Sequence, residues 1–320
     1  MSINTIRTCR IACGLGIIAA GIIIINLFVS AGRDDTTTRN SATNTDKRYS
    51  VYPVELPAEL RFAGEKVPLE YFDVKEDLDR ELLINVYWQS HTMLLIKRAN
   101  RYFPMIEKVL RQNGVPEDIK YLAVAESDLT NVVSPQQAVG FWQFVNGTAS
   151  DFGLEVNDEV DERYHIEKST EAACIFLKES YERYGSWTMA AASYNIGRSG
   201  LNEQIERQKS DYYYDLLLNE ETGRYIYRVL AIKLILSNPE QYGFYAGDKD
   251  LYPVIPSYEV TVDGPVEDFA DFSSKYGINY KVLKIFNPWL RDKKLANPHD
   301  KTYYIRIPKD GLSSRDISDI

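Results

Sequence analysis

One glutamate lies where an apolar residue would complete the buried stripe of a helix. The segment 116–128 reads PEDIKYLAVAESD, and its apolar positions Ile119, Leu122 and Ala123 continue at i+7 with Glu126. Burial disfavours the charged form of a carboxyl group, so we expect the pKa of Glu126 to be raised. A carboxylic acid that keeps its proton near neutral pH can act as a general acid. The alternative is a structural glutamate paired with an arginine or with a helix N-terminus.

Other kinds of reactive site are not predicted. The three histidines are far apart in the sequence and none has a partner at metal-ligand spacing, so we expect no metal. The three cysteines form no disulfide framework. The sequence has neither a glycine-rich phosphate loop nor a G-x-S-x-G motif, and we expect no cofactor.

Composition narrows the class of partner. The net charge is −9 and no block rich in lysine and arginine is present, which argues against nucleic acid. The remaining candidates for a polymeric partner are a neutral or modified sugar polymer, a peptide or a protein. The 23 tyrosines suit either a cleft for polar ligands with flat apolar faces or a tyrosine-rich helical core.

The middle of the chain is predicted to be an all-α domain over residues 71–245. Helical periodicity and capping signals place helices at Glu76–Arg98, Pro104–Gly114, Ser169–Tyr184, Trp187–Asn195 and Thr222–Ser237, in addition to the helix that carries Glu126. No alternating strand pattern occurs between residues 71 and 240. The loop after the Glu126 helix, TNVVSPQQAVGFWQF, has too many aromatic residues for an ordinary solvated turn.

The amino terminus is predicted to direct export. Residues 1–10 are interpreted as a cytoplasmic stub, and the apolar run 11–31 is long enough to cross a bilayer as a transmembrane anchor, or to act as a cleaved signal segment. Residues 32–70 are predicted to be a linker with an extended lead-in to the helical domain. The remainder of the chain would lie in the periplasm, either anchored to the membrane by this helix or released.

Residues 257–310 form a second, smaller α+β module in this interpretation. A strand at Tyr258–Val262, helices at Val266–Tyr276 and Tyr280–Phe286, and a strand at Tyr303–Ile307 give the order βααβ.

Four motifs follow one another along the middle of the chain. They are Glu126-Ser127, Gly140-Phe141-Trp142-Gln143-Phe144, Tyr194-Asn195-x-Gly197 and Glu221-Thr222-Gly223-Arg224-Tyr225. In this order they resemble the motifs of lytic murein transglycosylases, which belong with goose-type lysozyme in glycoside hydrolase family 23. The resemblance covers about residues 100–236. The runs Asp161-Glu162-Arg163 and Lys168-Ser169-Thr170 are similar to the membrane-bound D subtype. Ser193, in place of alanine or glycine, and Gly223, in place of arginine, depart from the family pattern.

The resemblance implies a lysozyme-like fold and cleavage of the β-1,4 bond between N-acetylmuramic acid and N-acetylglucosamine in peptidoglycan glycan strands. Glu126 would be the single acid/base, and the product would be 1,6-anhydro-N-acetylmuramic acid. The implied substrate-binding residues are Ser127, Gly140, Trp142, Gln143, Phe144, Tyr194, Asn195, Glu221 and Tyr225.

Several of these residues have two possible roles. Tyr194 is expected to bond Glu126 or a sugar acetamido carbonyl, and Asn195 to hold the Gly140 loop or only to end its helix. Trp142 and Phe144 either line the cleft or pack into the core. Glu221 either contacts sugar or caps the helix that follows it.

The C-terminal module resembles a LysM domain, a fold that binds N-acetylglucosamine chains. The usual GDTL turn is replaced by Asp263-Gly264-Pro265-Val266, and an insertion at Arg291–Lys301 lengthens the second loop. The module therefore either binds glycan or packs on the catalytic domain. Trp289 would be an exposed platform in the first case and a core residue in the second. Two further functions stay open for the whole chain, a goose-lysozyme-like hydrolase of the same bond and a non-catalytic peptidoglycan-binding protein.

Overall fold

The computed structural model describes residues 51–309, and residues 53–309 belong to one compact unit. The predictions for residues 1–10, 11–31 and 32–50 lie outside the described residues. Within 51–309, no helix is both long enough and apolar enough to cross a membrane. The helices are α1 (Phe72–Tyr87), α2 (Gln89–Gln112), α3 (Lys120–Ser127), α4 (Asn146–Asp151), α5 (Ile166–Tyr184), α6 (Trp187–Gln208), α7 (Glu220–Ser237), α8 (Phe269–Lys275) and α9 (Tyr280–Phe286).

The predicted extended lead-in contains a short antiparallel hairpin. Strands β1 (Leu60–Phe62) and β2 (Glu65–Val67) pair across a turn in which Ala63 and Gly64 both have positive φ. Phe62 and Val67 are buried in the core of the helical domain. The hairpin therefore contributes to that core.

The first two helices differ from the prediction of one helix over 76–98 and a second starting at Pro104. The break lies at Trp88, whose ψ of 57° is not helical and whose indole stacks on His91 at 3.8 Å between ring centroids. α2 then continues through Pro104 to Gln112. A proline inside a helix removes one backbone hydrogen bond, and the burial of Leu95, Ile106 and Leu110 on the same helix outweighs that loss.

The later helices follow the predicted pattern, with different boundaries. α5 begins at Ile166, not Ser169, because the His165 side chain accepts a hydrogen bond from the Lys168 amide and caps the helix. The predicted end is confirmed, since Gly185 adopts the left-handed conformation after Tyr184. α6 continues past Asn195 across a kink at Gly197, where φ is 78° and ψ is 150°.

The helices around α3 form one hydrophobic core, in which α3 and α7 pack on each other. The prediction of no strand between 71 and 240 agrees with the named strands, because only isolated bridges occur there. The C-terminal module has the predicted βααβ order, with β3 (Ser257–Val262) antiparallel to β4 (Tyr303–Pro308). Trp289 is only 3% exposed, so it is a core residue and not a platform.

Candidate active site

Glu126 lies on the last turn of α3, which ends at Asp128 in the left-handed conformation. Ile119, Leu122 and Ala123 are fully buried, as their spacing predicts, whereas Glu126 keeps partial access to solvent. Burial nevertheless raises the pKa of the Glu126 carboxyl to about 7. This rise is the one expected from the helix register, and it places proton gain and loss near neutral pH.

Tyr225 on α7 is the hydrogen-bond partner of Glu126. Its hydroxyl donates to Glu126 Oε1 at 2.7 Å, and this bond opposes the effect of burial on the Glu126 pKa. The other tyrosine, Tyr194, does not bond Glu126, contrary to one of the two expectations for it. Its hydroxyl instead donates to the Trp142 carbonyl at 2.7 Å. The second carboxyl oxygen of Glu126 has no protein partner among residues 51–309 and remains available to a ligand.

Two charged residues of α7 act on Glu126 through space. The positive charge of Arg228 lowers the Glu126 pKa and the negative charge of Glu221 raises it. Neither side chain has a hydrogen bond or an ion pair within the described part of the chain. The expected alternative for Glu221, capping α7, is wrong because the Asn219 side chain accepts the Thr222 amide instead. Glu221 is exposed in the first turn, with its carboxyl group unpaired.

The loop over residues 130–144, called here the site loop, is fixed to the helices that surround Glu126. Ser127, the neighbour of Glu126, donates to the Phe141 carbonyl at 3.0 Å. Ser127, one of the implied substrate-binding residues, thus holds a backbone carbonyl of the site loop. Tyr194 holds the next carbonyl, that of Trp142, as described above. Glu126 and the site loop are thus held in one geometry by adjacent residues.

Trp142 and Phe144 are core residues and not part of a cleft wall. Trp142 is completely buried, and its indole N–H donates to the Thr170 hydroxyl at 2.8 Å. Phe144 is 3% exposed and packs edge-on against Tyr194. In this structure neither ring is available to stack on a sugar.

Arg163 also fixes the site loop, through hydrogen bonds to two of its carbonyl groups. Its guanidinium donates to both carboxylate oxygens of Asp161, and one of its nitrogens also donates to the Gln137 and Phe144 carbonyls. Gly140, with φ +80°, lies directly on the Arg163 backbone, so that a Cβ there would stand 2.1 Å from the Arg163 carbonyl oxygen. Position 140 therefore requires glycine for both its conformation and its space.

Gln143 and Asn195 are two of the residues that the resemblance implies for substrate binding. The Gln143 side-chain amide donates to the Gly140 and Val132 carbonyls, so only its oxygen remains open to a ligand. Asn195 is half-buried, and its side chain makes no hydrogen bond to the site loop or to any other described residue. Of its two expected roles, holding the Gly140 loop is wrong, and Asn195 lies near the end of the first segment of α6, two residues before the Gly197 kink.

The sequence motifs do not point to Arg228, and Tyr225 has a more direct role than the substrate contact that they imply. A signal for both was present, because Glu221, Tyr225 and Arg228 are spaced i, i+4, i+7 and share one face of a predicted helix. No group of three or more metal-binding side chains occurs among residues 51–309.

Comparisons with known proteins relate both parts of the chain to lytic transglycosylases. A family model described as "Transglycosylase SLT domain" matches residues 103–216, and one described as "Soluble lytic transglycosylase C-terminal LysM-like domain" matches residues 258–311. The first match includes Glu126 and the site loop, while α7 lies beyond it.

Two curated relatives carry the same name. The chain is 28% identical over 218 residues to membrane-bound lytic murein transglycosylase D of Escherichia coli strain K12, and equally so to that of E. coli O6:H1 strain CFT073. Each alignment covers 66% of this chain and 47% of the relative, so the chain spans about half the length of the relatives it matches. The chain thus contains a transglycosylase SLT domain followed by a LysM-like C-terminal domain, and it is similar to membrane-bound lytic murein transglycosylase D.

Proposed function

We propose that this protein is a lytic transglycosylase that cleaves the β-1,4 bond between N-acetylmuramic acid and N-acetylglucosamine in peptidoglycan. The observation that carries the proposal is the Glu126 carboxyl group, whose pKa is raised to about 7 and which is held by Tyr225 with one oxygen open. A group with these properties can both give and take a proton near neutral pH.

In the proposed reaction, Glu126 first donates its proton to the glycosidic oxygen as the C1–O bond breaks, and the N-acetylglucosamine part leaves as an alcohol. The resulting carboxylate then accepts the proton of the muramic C6 hydroxyl while that oxygen bonds to C1. The product end is 1,6-anhydro-N-acetylmuramic acid, and Glu126 is protonated again. Because the nucleophile comes from the substrate, no water is consumed and no second protein carboxylate is needed.

The neighbours of Glu126 support both halves of this cycle. The bond from Tyr225 to Oε1 stabilises the carboxylate that forms when the proton leaves, and Arg228 stabilises the same negative charge. Burial acts in the opposite direction and restores the proton. We propose that the Gln143 side-chain oxygen, Asn195 and Glu221 face the sugars, since none of these groups has a protein partner.

Hydrolysis of the same bond is the second candidate, and Glu221 is the observation that favours it. An inverting hydrolase needs a second carboxylate that activates water. Glu221 is exposed, unpaired and close enough to act electrostatically on Glu126. The two reactions differ in their products, because an anhydro end is one water lighter than a reducing end.

The experiment is digestion of purified peptidoglycan sacculi followed by mass spectrometry of the released fragments. We expect anhydro ends from the wild-type protein and no release by Glu126→Gln, which keeps the shape and removes the acid. Reducing ends would show the hydrolase. Release by Glu126→Gln at the wild-type rate would remove Glu126 from the mechanism, and binding without release by the wild-type protein would show a non-catalytic binding protein.

We also propose that the protein acts in the cell envelope, on the periplasmic side of the membrane. The apolar run over residues 11–31 and the name of the relatives, membrane-bound, support this location. Membrane fractionation that recovers the full-length chain only from the cytoplasm would contradict it.

A further inference from the structure

The segment over residues 155–167, called here the bridge segment, lies between the site loop and the C-terminal module. It contains Arg163, which holds the Gln137 and Phe144 carbonyls of the site loop, and whose backbone carbonyl lies against Gly140. The position of the bridge segment therefore determines the position of the site loop.

The other side of the bridge segment is bonded to the C-terminal module, backbone to backbone. The Asp161 amide donates to the Trp289 carbonyl at 2.9 Å, and the Arg291 amide donates to the Glu159 carbonyl at 2.7 Å. Val160 and Leu290 form an antiparallel bridge between these two bonds. Asp161 is also the residue that orients the Arg163 guanidinium.

Side chains extend this junction along the whole segment. At one end, Glu155 accepts hydrogen bonds from Lys301 and Tyr303, and at the other, Glu167 pairs with Arg306. Between them, the Arg291 guanidinium lies 4.1 Å from the centre of the Tyr164 ring. The junction is thus formed by the long loop before β4 and by β4 itself.

The hydrophobic core of the C-terminal module also includes residues from outside the module. Val139 of the site loop is 3% exposed, and it is buried in one cluster with Val160, Tyr164 and the apolar residues of the module. The site loop therefore contributes a side chain to the core of the C-terminal module, immediately before Gly140. Packing at protein density makes such a contact sensitive to displacement of either side.

From these contacts we propose that the C-terminal module is a positioning element for the site loop: through the bridge segment and Val139, it holds the loop in the geometry that the reaction at Glu126 requires. This proposal rests on the proposed function for its effect on turnover, and on the contacts above for its effect on the loop. It gives the LysM-like module a role that does not depend on glycan binding. Residues of the junction are positioning residues, because none contacts Glu126.

The test uses full-length protein with Leu290→Ala, which removes buried volume beside Val160, and with Arg291→Ala, which removes the cation from Tyr164. Arg291→Lys keeps a cation there and is the rescue variant. Lys281→Ala is the control, since Lys281 is an exposed residue of the same module with no partner among the described residues. Two readouts are taken. They are kcat and KM on a soluble peptidoglycan tetrasaccharide, and amide hydrogen exchange of peptides covering 132–144.

We expect Leu290→Ala to lower kcat about tenfold or more with little change in KM, because small misplacements in an active site have effects of this size. Exchange over 132–144 should rise, Arg291→Ala should show a smaller effect of the same kind, and Arg291→Lys and Lys281→Ala should behave as wild type. The proposal is overturned if exchange rises in the module while kcat and residues 132–144 are unchanged, or if only KM rises. If the wild-type protein cleaves nothing, the proposed function fails, and the exchange data still decide the positioning role.

Discussion

At the scale of single residues, the proton affinity of Glu126 is a balance between burial and three neighbours. Burial is the largest effect and raises the pKa, while the Tyr225 hydroxyl and the Arg228 charge lower it and Glu221 raises it further. All three neighbours belong to α7, so one helix face sets the chemistry of a carboxyl group on another helix. A general acid is most useful when its pKa is near the working pH, and this balance brings Glu126 there.

The two charges of α7 give predictions of opposite sign. Arg228→Gln removes the positive charge that favours the carboxylate, so the pKa of Glu126 should rise and activity should persist to higher pH. Glu221→Gln removes a negative charge, so the pKa of Glu126 should fall. The alkaline decline in activity should then begin at a lower pH than in the wild type. The measurement is the alkaline limb of the kcat/KM profile, because the acid must be protonated when the reaction starts.

Glu220→Gln is the matched control for this pair. Glu220 precedes Glu221 in the same turn, its side chain is 86% exposed, and it does not contribute to the Glu126 pKa. Its profile should coincide with the wild type. Shifts in the same direction for Arg228→Gln and Glu221→Gln would show that conformational change, and not charge, moves the profile.

At the scale of elements, the site loop has its shape because polar contacts at several points leave it little freedom. Ser127, Tyr194 and Arg163 each bond one or more of its carbonyls, and Trp142 anchors it to Thr170 on α5. The aromatic residues of the loop, which stand out in the sequence, are buried and hold the loop against the helices. Its polar groups that remain open, such as the Gln143 oxygen, are the ones free to meet a ligand.

Gly140→Ala should deform this loop. The added Cβ would stand 2.1 Å from the Arg163 carbonyl oxygen, at a φ of +80° that costs a residue with a side chain about 1–2 kcal/mol by itself. We expect a lower melting temperature and a loss of activity on sacculi of about tenfold or more. Circular dichroism melting and product release measure the two effects.

Gly147→Ala provides the comparison for that variant. Gly147 lies in the first turn of α4, is exposed, and has no atom within 4 Å of an added Cβ. Alanine should be neutral or slightly stabilising there, since it favours a helix more than glycine does. Equal losses at positions 140 and 147 would mean that the contact with Arg163 is not the cause.

The sequence allowed the helix of Glu126, its raised pKa and the order of the C-terminal module to be predicted, because each depends on local periodicity. It did not reveal the break at Trp88 or the passage of α2 through Pro104, since packing from distant residues decides both. One of the two expectations for Tyr194 was a hydrogen bond to Glu126. The helix crossing of α3 and α7 instead brings Tyr225 there, and spacing along one helix cannot show which helices cross.

At the scale of the whole unit over residues 53–309, the helices and the C-terminal module have distinct hydrophobic clusters, but the cluster of the module extends beyond the module itself. The module spans about 50 residues from β3 to β4, a size at which a single small core gives marginal stability. Val139, Val160 and Tyr164 from outside the module complete its hydrophobic cluster. Buried apolar surface shared in this way couples the stability of one part to that of the other.

We therefore expect the two parts to unfold together. In calorimetry and in urea, residues 53–309 should show one transition, and Val160→Ala should lower the free energy of unfolding by about 2 kcal/mol, since it removes buried methyl groups. Amide exchange in graded urea should report the same loss in β4 and in α5, although Val160 belongs to neither. Val254→Ala removes the same atoms from a side chain that is 53% exposed and should change little. Two transitions, with Val160→Ala moving only the one that includes β4, would mean that the module is stable independently and that the shared cluster does not couple the parts.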